Sequence, residues 1–194
     1  MKNQFTFLGL KRPTRTEIQK EFMRKSKKTK SIDWEFVIEM FNKEEREFQY
    51  LALDYIKWLH KLLKKEDIDI LEQLIVTKSW WDTVDILDNY VGQLCLQYPE
   101  LKQSHIQRYI KSENIWLKRI AINFQLQYKQ DVDTTILTEA ILSNIDTKEF
   151  FVDKAIGWAL REYSKVNPKW VEEFIDKHKN DLSKLSIKEG TKLL

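Results

Sequence analysis

The sequence predicts an all-α fold assembled from repeated helix pairs, and three observations carry that prediction. Only four Gly and three Pro occur in 194 residues while 32% of residues are charged, so turn formers are scarce and helix formers abundant. Apolar residues recur at helical spacing along most of the chain, and no stretch alternates apolar and polar residues as a half-buried strand does. An aromatic residue opens alternate helices, at Phe48, Trp81, Trp116 and Phe151, at intervals of 33, 35 and 35 residues. Four positions after each come Ala52, Asp85, Ile120 and Ala155. A shorter helix fills each interval, so the unit is a helix pair repeated about four times, the pattern of an α-solenoid of HEAT-like repeats. Such stacks present one helix of each pair along a concave cleft.

The length suits one domain with a substantial core, and a single HEAT-like unit over 1–194 is expected. The first helix spans 13–28, with Thr14 or Thr16 near its start and Ile18, Phe22 and Met23 on one face. Asp33 caps a helix over 34–41. The span 44–63 is strongly periodic through Phe48, Leu51, Ala52, Tyr55, Ile56 and Leu59. A short apolar helix over 68–76 leads to the pair Trp80-Trp81, and the helix over 83–98 stops at Pro99, which cannot continue a helix interior. Helices over 100–110, 114–128, 134–143, 148–164 and 169–178 follow, with Asn167-Pro168 as the break before the last.

Composition excludes several function classes. Mean hydropathy is −0.53 and apolar runs are a few residues long, so no segment spans a bilayer or serves as a secretory signal. A cytoplasmic protein, monomeric, is the expectation. The single cysteine, Cys95, rules out an internal disulfide and sits in an apolar helical pattern, where a buried inert thiol is expected. His60, His105 and His178 lack metal-ligand spacing, and there is neither a glycine-rich phosphate loop nor a nucleophile elbow. Neither a metal nor an organic cofactor is expected. The net charge of +3 conceals an asymmetry: residues 1–30 hold ten Lys/Arg and two acids, a balance of +8 that leaves −5 for the remainder. The cluster Arg24, Lys25, Lys27, Lys28 and Lys30 suits phosphates, and it equally suits a solvated basic helix end.

The densest chemistry lies in Ser79, Trp80, Trp81, Asp82, Thr83, Val84 and Asp85. Ser79 reads as an N-cap, Asp82 as a first-turn anion favoured by the positive helix end, and one indole as a core plug. Asp85 is left over, because Asp is a mediocre helix former and lies four residues past Trp81, on the same face. In the repeat register Trp81 stands with Phe48, Trp116 and Phe151, so a wedge between repeats competes with a site role. Asp85 falls where other repeats put small or apolar residues, and Arg119 and Trp158 lie within three positions of that register in the next two repeats. Breaks in a consistent pattern mark candidate functional positions.

An Asp, an Arg and two Trp on neighbouring helices make a polar notch with aromatic walls. Indole faces attract cations, a carboxylate steadies a developing cation or orients a water, and a guanidinium grips phosphate bidentately. A substrate with a cationic ring, a sugar and a phosphate fits all four side chains, and a purine alkylated on a ring nitrogen is one. The other reading, an ordinary Arg119 to Asp85 ion pair across repeats, stays open on the residues alone.

Five segments then carry a resemblance: Phe5-Thr6-Phe7-Leu8-Gly9, Glu45-Arg46-Glu47-Phe48-Gln49, the stretch 76–85 with Trp80-Trp81-Asp82, Asn114-Ile115-Trp116-Leu117-Lys118-Arg119, and the stretch 154–163 with Gly157-Trp158-Ala159-Leu160-Arg161-Glu162-Tyr163. Distributed over nearly the whole chain, they resemble the DNA alkylation repair enzymes of the AlkD type. The resemblance implies a solenoid that binds duplex DNA in its concave cleft. It implies a DNA glycosylase that excises positively charged alkylpurines, of the N7-methylguanine and N3-methyladenine class, in base excision repair. It further implies a grip from the backbone side, without the full base flipping common among enzymes acting on bases. By motif, Trp81 and Trp158 match the aromatics that pack against the lesion's sugar and backbone. Asp85 matches the carboxylate that stabilises the sugar cation and positions water, and Arg119 the arginine of the cleft. Arg161 and Lys78 add phosphate partners, and nucleoid association when bound to DNA follows.

The resemblance also exposes a departure. In the family a further helix and a Tyr precede the motif at 1–5, whereas this sequence opens at Met1 with neither and stops at Leu194 within a terminal helix. Reduced stability or activity of the chain 1–194 is therefore expected, with part of the C-terminal cap missing. A catalytically silent HEAT-like DNA-binding protein and a protein-binding helical scaffold are the competing readings.

Overall fold

The computed structural model describes residues 3–194. The motif at 1–5 is thus described only from Asn3 onward. The described residues form eleven α-helices: α1 (Arg12–Ser26), α2 (Trp34–Asn42), α3 (Arg46–Leu59), α4 (Asp67–Val76), α5 (Trp81–Gln97), α6 (Gln107–Ile110), α7 (Ile115–Asn123), α8 (Thr134–Leu142), α9 (Phe150–Ser164), α10 (Pro168–His178) and α11 (Lys184–Gly190). Among the described residues there is no strand, and a lone bridge pairs Thr6 with Glu45. No helix among them is long and apolar enough to cross a membrane.

Side-chain caps set many of the starts. Asp33, Asn114, Asp133, Asn167 and Ser183 each accept from a backbone N–H in the first turn of α2, α7, α8, α10 and α11. Two spans expected as continuous helices are interrupted. The span 100–110 holds a π-turn over Lys102–Ile106, where the Ser104 hydroxyl donates to Glu100 O at 3.2 Å, a back-bond that bends helices. The span 114–128 leaves the helix at Asn123, because the Gln125 carboxamide exchanges two hydrogen bonds with the Asp133 backbone, at 2.8 and 3.2 Å, and ties the turn to the start of α8.

The chain divides into two compact units, Met1–Leu87 and Asp88–Leu194, with the division inside α5. In the first, α3 packs on α1 and α2, and α2 on α4, around Val37, Phe41, Ala52, Leu53, Ile56, Leu71 and Ile75. Glu47 fastens the N-terminal segment by accepting from the N–H groups of Leu8, Gly9 and Leu10 at 2.9, 3.0 and 3.1 Å. Burial pushes this carboxyl up, and hydrogen bonds from the backbone N–H groups of Leu8, Glu47, Leu10 and Gly9 outweigh it and hold the group below the usual carboxylate range. In the second unit α7, α10 and α11 pack on α9 around Ile120, Val152, Ala155, Ile156 and Leu160. Gly157 permits the approach of α11, since a Cβ there would stand 2.5 Å from Glu189 Cβ and 2.9 Å from Ser186 O.

The repeat is written in side-chain hydrogen bonds. Trp34 Nε1 donates to Asp67 across 33 residues, Arg46 to Lys78 O across 32, Gln107 to Glu139 across 32, Asn144 to Ile110 O across 34, and Ser186 to Asp153 O across 33. Each bond reaches one repeat along the chain, which is the bonding expected of a helical-repeat protein.

Candidate functional site

The start of α5 positions the first half of the candidate site. Trp80 is 9% exposed and Trp81 47%. The core plug is therefore Trp80, one position before the residue that the repeat register assigns as a wedge. Wedging is instead carried out by Trp116 and Phe151, the opening aromatics of successive repeats, whose ring centroids lie 4.9 Å apart. Asp85 is half-buried one turn after Trp81 on the same face of α5. Ser79, expected as an N-cap, sends its hydroxyl back to Ile75 O at 2.6 Å, so it closes α4.

Beneath α5 lies a network that sequence reasoning missed. Arg46, fully buried at the start of α3, donates through Nη2 to Asp82 Oδ1 at 2.6 Å and to Thr83 Oγ1 at 2.9 Å, and through Nη1 to Lys78 O at 2.7 Å. Tyr50 Oη donates to Asp82 Oδ2 at 2.5 Å. The Arg46 guanidinium also lies 4.0 Å from the Phe5 ring centroid. Burial pushes the Tyr50 hydroxyl up to about 12, reinforced by its bond to Asp82 and that carboxylate's charge, so the phenol stays a donor. Asp82, expected as a simple first-turn anion, is the acceptor that fixes the start of α5. A signal existed: Arg46 stands two residues before Phe48, where the later repeats put Ser79, Asn114 and Glu149.

Lys78 has a left-handed backbone, with φ +45°, which aims its carbonyl at Arg46. Its ammonium donates to Asn42 O at 3.0 Å and to Lys43 O. Two carbonyls thus occupy the cation expected to meet phosphate.

In the second unit Arg119 and Trp158 come together. Arg119 is 4% exposed, its guanidinium carbon lies 5.8 Å from the centre of the Trp158 ring, and Nη1 donates to Phe151 O at 2.7 Å. Arg161, three residues after Trp158 on α9, donates to Glu189 Oε2 at 3.0 Å. Of the six expected site residues, Lys78, Trp81 and Asp85 stand in the first unit and Arg119, Trp158 and Arg161 in the second. Cys95 is buried, and burial pushes its thiol up to about 12, which agrees with the inert role expected of it.

Fold and side chains define an all-helical repeat protein that keeps one indole in solvent beside a carboxylate and another indole over a buried arginine. The family model for DNA alkylation repair enzymes matches residues 1–194, and the chain belongs to that family. A solved structure described as a predicted DNA alkylation repair enzyme from Enterococcus faecalis is 33% identical, with a TM-score of 0.91 over all of this chain and 90% of that one. No curated protein matches the chain. Membership points to DNA alkylation repair as the task, to an enzyme, and to DNA as the substrate.

Proposed function

We propose that the chain is an alkylpurine DNA glycosylase of the AlkD type, which binds duplex DNA in the cleft of a HEAT-like solenoid and releases the damaged base without flipping it fully. The observation that carries this reading is the exposure of Trp81. An indole at 47% exposure, where the equivalent Trp116 is buried at 8%, has no packing reason to be there, and the Asp85 carboxylate lies one turn away. In the proposed reaction the bond between the sugar and the cationic purine breaks with its electron pair going to the ring, which neutralises the base. The sugar is left as a cation, stabilised by Asp85 and by the faces of Trp81 and Trp158. Water adds to that cation from the side that Asp85 orients, and its proton passes to solvent. Arg119 seats Trp158 and faces phosphate. Lys78 and Arg161 reach phosphate only by exchanging their carbonyl and Glu189 partners.

The test is Asp85→Asn, with DNA binding and single-turnover release of N7-methylguanine from duplex DNA measured beside the parent. The reading expects excision to slow by roughly a hundredfold or more, because charge is removed where positive charge develops. Binding should hold or rise, since a carboxylate near phosphates repels them. Unchanged excision, or a loss accounted for by weaker binding, leaves the silent DNA-binding protein as the better account.

A further inference from the structure

The second unit contains a cavity of about 270 Å³ that the proposed reaction does not use. One wall is the C-terminal half of α5, with Asp88, Gly92 and Leu96, and the other is the turn after α7, with Asn123, Phe124 and Tyr128. The walls are fixed where they meet. A Cβ at Gly92 would stand 2.2 Å from Phe124 O, so the two backbones touch, and Tyr128 Oη donates to Gly92 O at 2.7 Å. Burial pushes the Tyr128 hydroxyl well above the ordinary phenol range and keeps it a donor. A void beside so close a contact is a built feature of the packing.

Asn123 lines this void, is 1% exposed, and has both its amide nitrogen and its amide oxygen buried without a hydrogen-bond partner. A buried carboxamide with neither group satisfied is costly, and native proteins rarely keep one without a use. A single ordered water needs on the order of 10–15 Å³ of such space, so one bridging water fills little of the cavity. The vacant edge presents a donor and an acceptor side by side, the pair with which Asn meets adenine. Asp88, also buried and lining the cavity, adds a carboxylate that accepts a second N–H. The Phe124 and Tyr128 rings, with centroids 5.8 Å apart and planes at 79°, supply aromatic walls of the kind on which bases stack.

We propose that this cavity is a binding site for a purine base carrying an exocyclic amino group. One amino hydrogen goes to Asn123 Oδ1, the other to the Asp88 carboxylate, and the adjacent ring nitrogen accepts from Asn123 Nδ2. Such a site stands whether or not the chain breaks a glycosidic bond, because base binding and base release are measured separately.

The probes are 9-methyladenine, which carries this edge, and 9-methylpurine, which has the same rings and acceptors alone. Titration of the full chain followed by calorimetry or NMR should show 9-methyladenine binding, and 9-methylpurine weaker by about tenfold or more, as the loss of two hydrogen bonds implies. Asn123→Leu, of similar shape, should weaken 9-methyladenine by a similar factor while melting at or above the parent's temperature, since it removes an unsatisfied buried amide. Should that variant fail to fold, Asn123→Asp keeps the shape, replaces the donor by an oxygen, and should show the same loss. Absence of binding, equal binding of the two probes, or equal binding by parent and variant overturns the site.

Discussion

Arg46 in the first unit and Arg119 in the second use one device for different ends. Each guanidinium sends Nη1 to a backbone carbonyl 32 residues along the chain, Lys78 O and Phe151 O, and each bond measures 2.7 Å. Both are therefore staples between the opening helix of one repeat and the start of the next. Arg46 is surrounded by Asp82, Thr83 and the Phe5 ring and touches none of the residues proposed for chemistry except the backbone of Lys78. Arg119 lies beside Trp158. A buried arginine in a repeat protein is by itself a structural signal, and only the neighbouring indole separates the second case from the first.

The largest effect should come from breaking the first staple. Arg46→Met removes the cation from a buried pair and strands Asp82, which typically costs about 3–5 kcal/mol. Urea unfolding would register it, and the double variant Arg46→Met with Asp82→Leu should regain much of the loss, because removing both partners leaves no uncompensated charge. A single variant as stable as the parent would refute the staple. Next in size is Arg119→Ala, expected to cost about 1.5–3 kcal/mol for its bond to Phe151 O. It should also weaken DNA binding equally for all sequences and lower the slope of log affinity against log salt by about one. Loss of stability with unchanged DNA affinity would make Arg119 a second Arg46 and erase the difference between them.

Most of the fold was legible because helix starts and faces are local: Asp33, Asn114, Asp133 and Asn167 cap the helices they were expected to open. The interruptions at 102–106 and after Asn123 were not, since an apolar period continues through a π-turn and through a turn pinned by Gln125. Within the candidate site, the face shared by Trp81 and Asp85 followed from spacing. Which of two adjacent indoles enters the core did not, because each has an apolar neighbourhood one turn away and only tertiary packing selects Trp80. Arg46, Tyr50 and Asp82 escaped for a related reason. Their partners lie 32 to 37 residues off, and no local pattern announces such a pairing.

The smallest effect compares the carboxylates that fasten the two units. Glu189 ties α11 to α9 through Lys154 at 2.7 Å and Arg161 at 3.0 Å, and it also meets Lys192 at 2.8 Å. Hydrogen bonds from Lys154 and Lys192 lower its pKa from 4.5 to about 2, against the effect of burial. The depressed value means that the stability it contributes is complete above about pH 4.5 and is lost as pH falls toward 2. The lysines are partly solvated, so Glu189→Gln should cost about 1 kcal/mol or less at neutral pH, and the gap between variant and parent should close between pH 4.5 and 2. Glu47, also depressed, is held by backbone N–H groups and not by mobile cations. Salt near 1 M, where the screening length is roughly 3 Å, should therefore shrink the Glu189 contribution and leave that of Glu47 nearly intact. Denaturant unfolding of Glu47→Gln and Glu189→Gln across pH and salt separates the two, and a Glu189 effect that ignores both variables would show that α11 is held by the close packing at Gly157 and not by charge.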